Sequence, residues 1–448
     1  MHPSRFMHNE VEVETDVEAT MRDGTVLRAD IYRPTAGGPW PMLLVRTPYG
    51  KQDSDIVALL DPVLAVRRGY LVVIQDTRGR YRSEGQWVPL VHERDDGYDT
   101  VRWAARLPGA NGRVGMYGPS YLGHVQWAAL AARPPELVAA VPEFTWSDPE
   151  DGLVARGGAR ELGLLTQWSE TVDYDLLSRG IDAGVLPRIA EGLVGLGAPT
   201  LTVAGWYDAF LQGSLDNYVG ARESGHAAGL IVGPWSHNNQ GSWIGETDFG
   251  VGADAKGIGG GGSLRSLELD WLDRYLKSGE AGPAAQLPVL IFVMGVNEWR
   301  RFDRWPPAAW EMSWYLRADG VLSESYPKAR ERVRTYRHDP ADPVPTRGGA
   351  LLLTDQYPAG VFDQCEVEGR SDVLVYTSEV LKAPLEVIGR VRAEVVVAST
   401  VPTTDLVVRL CDVDGEGVSR NITDGVLRVS DADAPAPASV CVFSISSR

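Results

Sequence analysis

The sequence predicts an α/β architecture: a parallel sheet covered on both faces by helices, broken by a short helical insertion and followed by a β-rich C-terminal region. Three observations predict it. Short runs such as Met42-Leu43-Leu44-Val45 and Leu71-Val72-Val73-Ile74 are apolar at every position, as strands buried on both faces must be. Helical patterns of about ten residues or more separate these runs, the spacing that parallel crossovers need. Beyond residue 310 the helical period disappears, and short apolar segments recur between turns. At about 150 residues per domain, the 448 residues suggest two or three domains and are long enough to bury a large core.

Along the chain, 11–32 reads as two strands around the turn Arg22-Asp23-Gly24. After the run at 42–45, a helix is expected over 55–67, closed by Gly69, and the next strand follows at 71–74. A helix near 93–106, a strand Arg113 to Tyr117, a helix over 121–132 and a strand Val138 to Val141 continue the alternation. Between Trp146 and Pro199 the strand signal lapses, and helical stretches at 159–168 and 170–178 suggest a cap over the sheet. The pattern resumes with a strand Thr200 to Ala204, a helix over 211–223, a strand Leu230 to Val232 and a helix over 264–276. The expected organisation is therefore a sheet domain in two parts, 1–145 and 200–300, a cap over 146–199, and a β-rich domain over 310–448. In that last domain strands are expected at Ala350 to Leu353, Val373 to Tyr376, Leu385 to Ile388, Ala393 to Ala398 and Leu406 to Leu410. The glycine-rich stretch 250–263 lacks the Lys-Ser/Thr pair of a phosphate loop and reads as a flexible loop.

Composition narrows the function. Hydrophobic residues make up 44% and charged residues 23%, an ordinary globular balance. With 43 basic and 60 acidic residues the net charge is −17, a field that repels nucleic acid and anionic lipid, so neither nucleic acid nor membrane is an expected partner. Three cysteines without paired spacing argue against a disulfide framework or structural zinc. The first residues lack the apolar core of a signal peptide, and no apolar run approaches the ~18 residues of a membrane span, so a cytoplasmic protein is expected.

The chemistry concentrates in Val114-Gly115-Met116-Tyr117-Gly118-Pro119-Ser120-Tyr121-Leu122-Gly123, where a strand runs through glycine into serine and then a helix. Such a turn can present Ser120 as a nucleophile at the carboxyl edge of a parallel sheet, with helix N–H groups beside it for an oxyanion. The usual elbow has glycine two residues after the serine; here Leu122 stands there and Gly123 follows. A serine needs a base to remove its proton. Of seven histidines (2, 8, 92, 124, 226, 237 and 338), only His237 follows a strand end directly. His124 lies one turn along the serine's own helix, where its ring would run along the helix surface. The third member must orient the imidazole, and Asp208 follows the strand Thr200 to Ala204. Its rival, Asp216, falls on the next helix and should face solvent. Ser325-Tyr326-Pro327-Lys328 matches a serine–lysine signature, but Pro327 does not belong inside the helical turn that chemistry needs. Asn421-Ile422-Thr423 would be a glycosylation site only in a secreted chain.

These residues, together with Arg46-Thr47-Pro48-Tyr49, Asp76-Thr77-Arg78-Gly79, Gly205-Trp206-Tyr207-Asp208, Gly233-Pro234-Trp235-Ser236-His237 and Phe292-Val293-Met294-Gly295, resemble the cocaine-esterase-like branch of the serine hydrolases. That branch includes X-prolyl dipeptidyl peptidases, α-amino-acid ester hydrolases and glutaryl acylases, and the resemblance runs from about residue 11 to 428. It implies an α/β-hydrolase fold with a helical cap and a C-terminal jelly roll, and a Ser120–His237–Asp208 triad. It also implies that the Tyr49 hydroxyl and the Tyr121 backbone N–H hold the oxyanion. The implied activity is hydrolysis of small carboxylic esters through an acyl-enzyme, with acylase or Xaa-Pro peptidase chemistry as the alternative and no metal or organic cofactor. A non-catalytic binding protein on the same scaffold is a further reading, which the ordered triad disfavours.

Residues around the triad refine this. Where amino-acid ester hydrolases carry acidic residues after the triad aspartate, this chain has Ala209-Phe210-Leu211, which disfavours substrates with a charged α-amino group. Trp168 and Phe210 would offer an apolar substrate pocket, similar to the family's aromatic acyl pocket. The cap, about 50 residues, is short for the family and implies an open pocket. The jelly roll is expected to be incomplete, yielding to an Asp/Ala/Pro-rich linker over 431–439, with weak C-terminal order or a homodimer through its edge.

Overall fold

Eleven strands form the main sheet of the computed structural model, which describes residues 4–8, 11–150, 152–179, 197–260, 262–277, 289–327, 331–430, 438–440 and 446–447. They are β1 (Ser4–His8), β2 (Val11–Thr20), β3 (Val26–Arg33), β4 (Trp40–Thr47), β5 (Leu71–Asp76), β6 (Ala110–Pro119), β7 (Leu137–Glu143), β8 (Thr200–Tyr207), β9 (Ala228–Ser236), β10 (Val289–Val293) and β11 (Glu298–Phe302). Their spatial order is β1-β2-β3-β5-β4-β6-β7-β8-β9-β10-β11. From β5 through β10 neighbouring strands run parallel, and antiparallel strands flank them on both sides. The apolar runs are the centre of this sheet: β5 is buried at every residue and β4 at all but its first.

The helices are α1 (Ser54–Leu60), α2 (Pro62–Arg67), α3 (Glu93–Ala104), α4 (Tyr121–Ala132), α5 (Leu162–Val172), α6 (Leu176–Arg179), α7 (Leu211–Glu223) and α8 (Leu264–Leu276). Three match the expected spans residue for residue: α4, α7 and α8. The helix expected over 55–67 is two, because Asp61 takes a left-handed conformation (φ 44°) and Pro62 starts α2 at the position where its missing N–H costs nothing. Two short strands pair around Gly157-Gly158, at 155–156 and 159–160, where the cap was expected to be helical already; α5 and α6 follow. Residues 180–196 of the expected cap lie outside the described residues. The glycine-rich stretch is anchored: the indole N–H groups of Trp235 and Trp299 donate to the carbonyls of Ala253 and Gly252, each at 2.7 Å, and Ala253 and Ile258 are buried.

In the C-terminal region the longest pairing is an antiparallel hairpin of β12 (Thr403–Val413) and β13 (Ser419–Ser430). Val395–Val397 also pairs with Ala438–Val440. The segments at 350–353, 373–376 and 385–388 form no ladder; isolated bridges are all the region adds nearby. Their apolar side chains are used differently. Leu353 lies against Gly163 of α5, and Ile388 is buried beside Phe302 and Trp305 at the edge of the main sheet, so these segments anchor the region onto its neighbours. Residues 431–437 of the expected linker lie outside the described residues. No helix among the described residues is long and apolar enough to cross a membrane.

Candidate active site

Ser120, Asp208 and His237 each follow the carboxyl end of a strand: β6, β8 and β9 respectively. The register aligns these ends. Pro119 pairs with Glu143 at the end of β7, and Tyr207 pairs with Ser236. Adjacent strands lie about 4.8 Å apart, so the three loops share one rim.

Ser120 sits at the cap position of α4 with φ 59° and ψ −126°, a conformation that costs a residue with a side chain about 1–3 kcal/mol and must be held from outside. Its backbone N–H donates to Glu143 O at 2.9 Å, and its own carbonyl accepts the N–H groups of Gly123 and His124 and the Thr145 hydroxyl at 2.6 Å. The displaced glycine has a geometric reason. A Cβ at Gly123 would stand 2.6 Å from the Thr145 side chain, whereas Leu122 packs its Cβ 3.1 Å from where a side chain of Gly118 (φ 127°) would begin. Close approach therefore falls on positions 118 and 123, and Leu122 fills the space left between.

His237 Nδ1 meets Asp208 Oδ1 at 2.8 Å, with Asp208 fully buried and the imidazole 10% exposed. The ring is steadied edge-on by Phe210 and Phe144, at centroid distances of 5.1 and 6.4 Å. Phe210 is only 1% exposed and packs 4.5 Å from Trp146, so it props the imidazole and presents little open wall to a substrate. Asp216 is exposed and pairs with Arg390, as its helix position implied. His124 is buried, stacked on Trp146 with Nδ1 at 3.3 Å from that residue's carbonyl, and burial pushes its pKa down to about 4. A neutral ring held there is no rival base.

Tyr49 lies two residues beyond β4. Its hydroxyl accepts the indole N–H of Trp168 at 3.2 Å and interacts with the Ser120 side chain. Burial pushes the phenol up to about 12, so it remains a donor at neutral pH. As the first residue of α4, Tyr121 has a backbone N–H without an intrahelical acceptor. Its side chain does structural work, donating to Glu93 Oε1 at 2.8 Å and accepting the Leu90 N–H at 3.1 Å. Trp168, 9% exposed, closes this corner, and its ring meets those of Tyr121 (6.1 Å) and Trp87 (6.4 Å).

Three groups of charges that sequence reasoning did not assign hold the loops in place. Arg46, fully buried, binds Glu93 Oε2 at 2.6 Å and Gln75 at 3.0 Å; Arg78 binds Asp96 and Asp23. Lys51 reaches Asp16 at 2.8 Å and Asp30 at 3.0 Å, while its backbone N–H donates to Asp76 at 2.7 Å. Behind the elbow, the Glu143 and Glu268 carboxyls flank Arg265; burial drives both pKa values up, against the pull of the guanidinium. Their signal in the sequence was a charge at the end of an apolar run, as at Arg46, Asp76 and Glu143. Asn421, inside the sequon, is buried with its amide bonded to Gly360 O and Phe362 N, so it is built into the packing.

Comparison with known proteins agrees with this geometry. Residues 23–184 match the X-Pro dipeptidyl-peptidase (S15 family), and residues 284–438 match the X-Pro dipeptidyl-peptidase C-terminal non-catalytic domain. The chain is 34% identical to a cocaine esterase of Rhodococcus sp., over 93% of this chain and 83% of that protein. Among solved structures, an α-amino acid ester hydrolase superposes with a TM-score of 0.80 at 25% identity, covering 99% of this chain and 88% of the other. An aminopeptidase from a marine-sediment Thaumarchaeota archaeon shares the fold, with a TM-score of 0.82 at 24% identity over 100% of this chain and 88% of the other.

Proposed function

We propose, from the premise that this chain belongs to the X-Pro dipeptidyl-peptidase family of serine hydrolases, that it hydrolyses small carboxylic esters with apolar or aromatic acyl groups. The observation that carries the reading is the buried Asp208–His237 pair on the same rim as a strained Ser120 whose side chain meets the Tyr49 phenol.

With the His237 Nδ1 proton directed to Asp208 Oδ1, the lone pair of Nε2 is left to take the Ser120 proton. The Ser120 oxygen then bonds to the ester carbonyl carbon, and the carbonyl oxygen becomes an oxyanion. The Tyr49 hydroxyl and the Tyr121 N–H donate to it. Collapse expels the alcohol, which leaves with the proton from Nε2, and the acyl group stays on Ser120. Water, deprotonated by the same nitrogen, reverses the sequence and releases the acid. Trp168 and Trp87 supply the apolar wall beside the oxyanion site. Ala209 and Phe210 after Asp208 offer no carboxylate to a substrate ammonium, which favours neutral esters over peptides with a free amino terminus.

The test is covalent. A fluorophosphonate probe should modify the Ser120 peptide stoichiometrically, and Ser120→Ala should lose both labelling and turnover of p-nitrophenyl esters. Equal labelling of Ser120→Ala would reject the nucleophile. Faster cleavage of Xaa-Pro anilides than of aryl esters would reassign the enzyme as a peptidase.

A further inference from the structure

Arg80, in the loop after β5, has no part in the proposed chemistry, yet it touches what holds Tyr49. Its Nε donates to the Pro48 carbonyl at 2.8 Å. That carbonyl belongs to the peptide unit whose N–H is Tyr49's own, and this N–H is bound at 3.1 Å by the Thr47 hydroxyl. The unit leading into Tyr49 is thus gripped at both polar ends. Arg80 Nη1 donates to the Val172 carbonyl at 2.9 Å, the last residue of α5. One turn earlier on that helix, Trp168 sends its indole N–H to the Tyr49 hydroxyl. The guanidinium itself lies over Trp87, 4.6 Å from the ring centroid, and Trp87 meets Trp168 edge-on. Among the described residues no carboxylate pairs with Arg80, so its donors serve two carbonyls that belong to different parts of the fold.

We propose that Arg80 is a positioning residue, which ties the Pro48 and Val172 carbonyls together and so fixes the Tyr49 hydroxyl over Ser120. The inference rests on Tyr49 as the oxyanion donor. A planar fork can hold two carbonyls at once; a lysine ammonium on a flexible stem holds them less well. Without the tie, α5 and the Tyr49 loop move independently, and a donor displaced by about 1 Å can cost about 100-fold in rate.

The experiment is a double-mutant cycle on p-nitrophenyl ester turnover, with Arg80→Ala, Arg80→Lys, Tyr49→Phe and their combinations. Arg80→Ala should lower kcat by about 10- to 100-fold with KM changed less than about threefold, and Arg80→Lys should fall between it and wild type. In the Tyr49→Phe background, where there is no hydroxyl to aim, either Arg80 substitution should cost less than about threefold. Should Arg80→Ala not fold, the Arg80→Lys arm of the cycle decides. If Tyr49→Phe is slow but the Arg80 loss is the same in both backgrounds, the positioning role falls and the oxyanion reading stands. If Tyr49→Phe turns over normally, the oxyanion reading falls and takes the positioning role with it.

Discussion

Tyr49→Phe removes one oxygen from the site and separates catalysis from stability. That oxygen accepts the Trp168 indole N–H at 3.2 Å and interacts with Ser120. Folding should lose the net worth of one long hydrogen bond, about 1 kcal/mol, because the rings and their packing persist. The rate loses more. An oxyanion-hole donor acts on charge that exists only in the transition state, and its removal typically costs about 100- to 1,000-fold in kcat. KM should hardly move, since the ground-state carbonyl makes little use of the donor. Burial keeps the phenol neutral up to about 12. A donor of this kind is intact below its pKa, so the wild-type to variant ratio should stay constant from about pH 7 to 10. Steady-state turnover of a p-nitrophenyl ester at several pH values, beside urea unfolding, measures all three quantities. The reasoning is refuted by turnover within about threefold of wild type, or by a ratio that collapses toward one by pH 9, which would mean the phenol ionises there.

Two further substitutions test the acid and the charge cluster. Asp208→Asn should hold the imidazole in the wrong tautomer and lower kcat by about 10,000-fold while the unfolding midpoint barely changes; activity within tenfold of wild type would remove Asp208 from the mechanism. Lys51→Met strips the ammonium from Asp16, Asp30 and Asp76 and should cost about 3–5 kcal/mol by urea unfolding near pH 7.5. Burial already pushes Asp76 up to about 6 against the pull of Lys51. The folded state therefore binds more protons than the unfolded chain between about pH 4 and 6, and this group's contribution to stability falls as pH rises through that window. Losing Lys51 pushes the same carboxyl higher, so the variant's deficit should narrow as pH falls from 7.5 to 5. An equal deficit at both pH values would contradict the cluster's assigned role.

Much of this was legible from local pattern. The three helices read correctly carry apolar residues at helical spacing and stop at clear punctuation, as α7 does before Gly225. Ser120, Asp208 and His237 were legible because each follows an apolar strand that had to lie inside the sheet. The break at Asp61-Pro62 was written in the sequence as well, in the proline's preference for a first helical turn. What could not be read depends on partners far along the chain. Arg265 reaches back 122 residues to Glu143, and Arg46 finds Glu93 across 47, so neither pairing leaves a local trace. Lys51, one of only five lysines, looked like a compositional accident until the fold placed it among three carboxylates. The C-terminal segments misled for a related reason: a short apolar run specifies that it will be covered, and whether by a strand or by a helix is decided elsewhere.

The hairpin of β12 and β13 touches more than its own region. Tyr207, the residue before Asp208, donates its hydroxyl to Asn421 O at 3.2 Å, and the Arg428 N–H reaches the Gly157 carbonyl in the cap at 2.8 Å. The part of the polypeptide farthest from the nucleophile in sequence therefore braces both the acid's loop and the roof above the substrate. Trimming this protein at residue 310 to obtain a minimal catalyst would keep every reacting group and remove the buttress on which two of its walls lean.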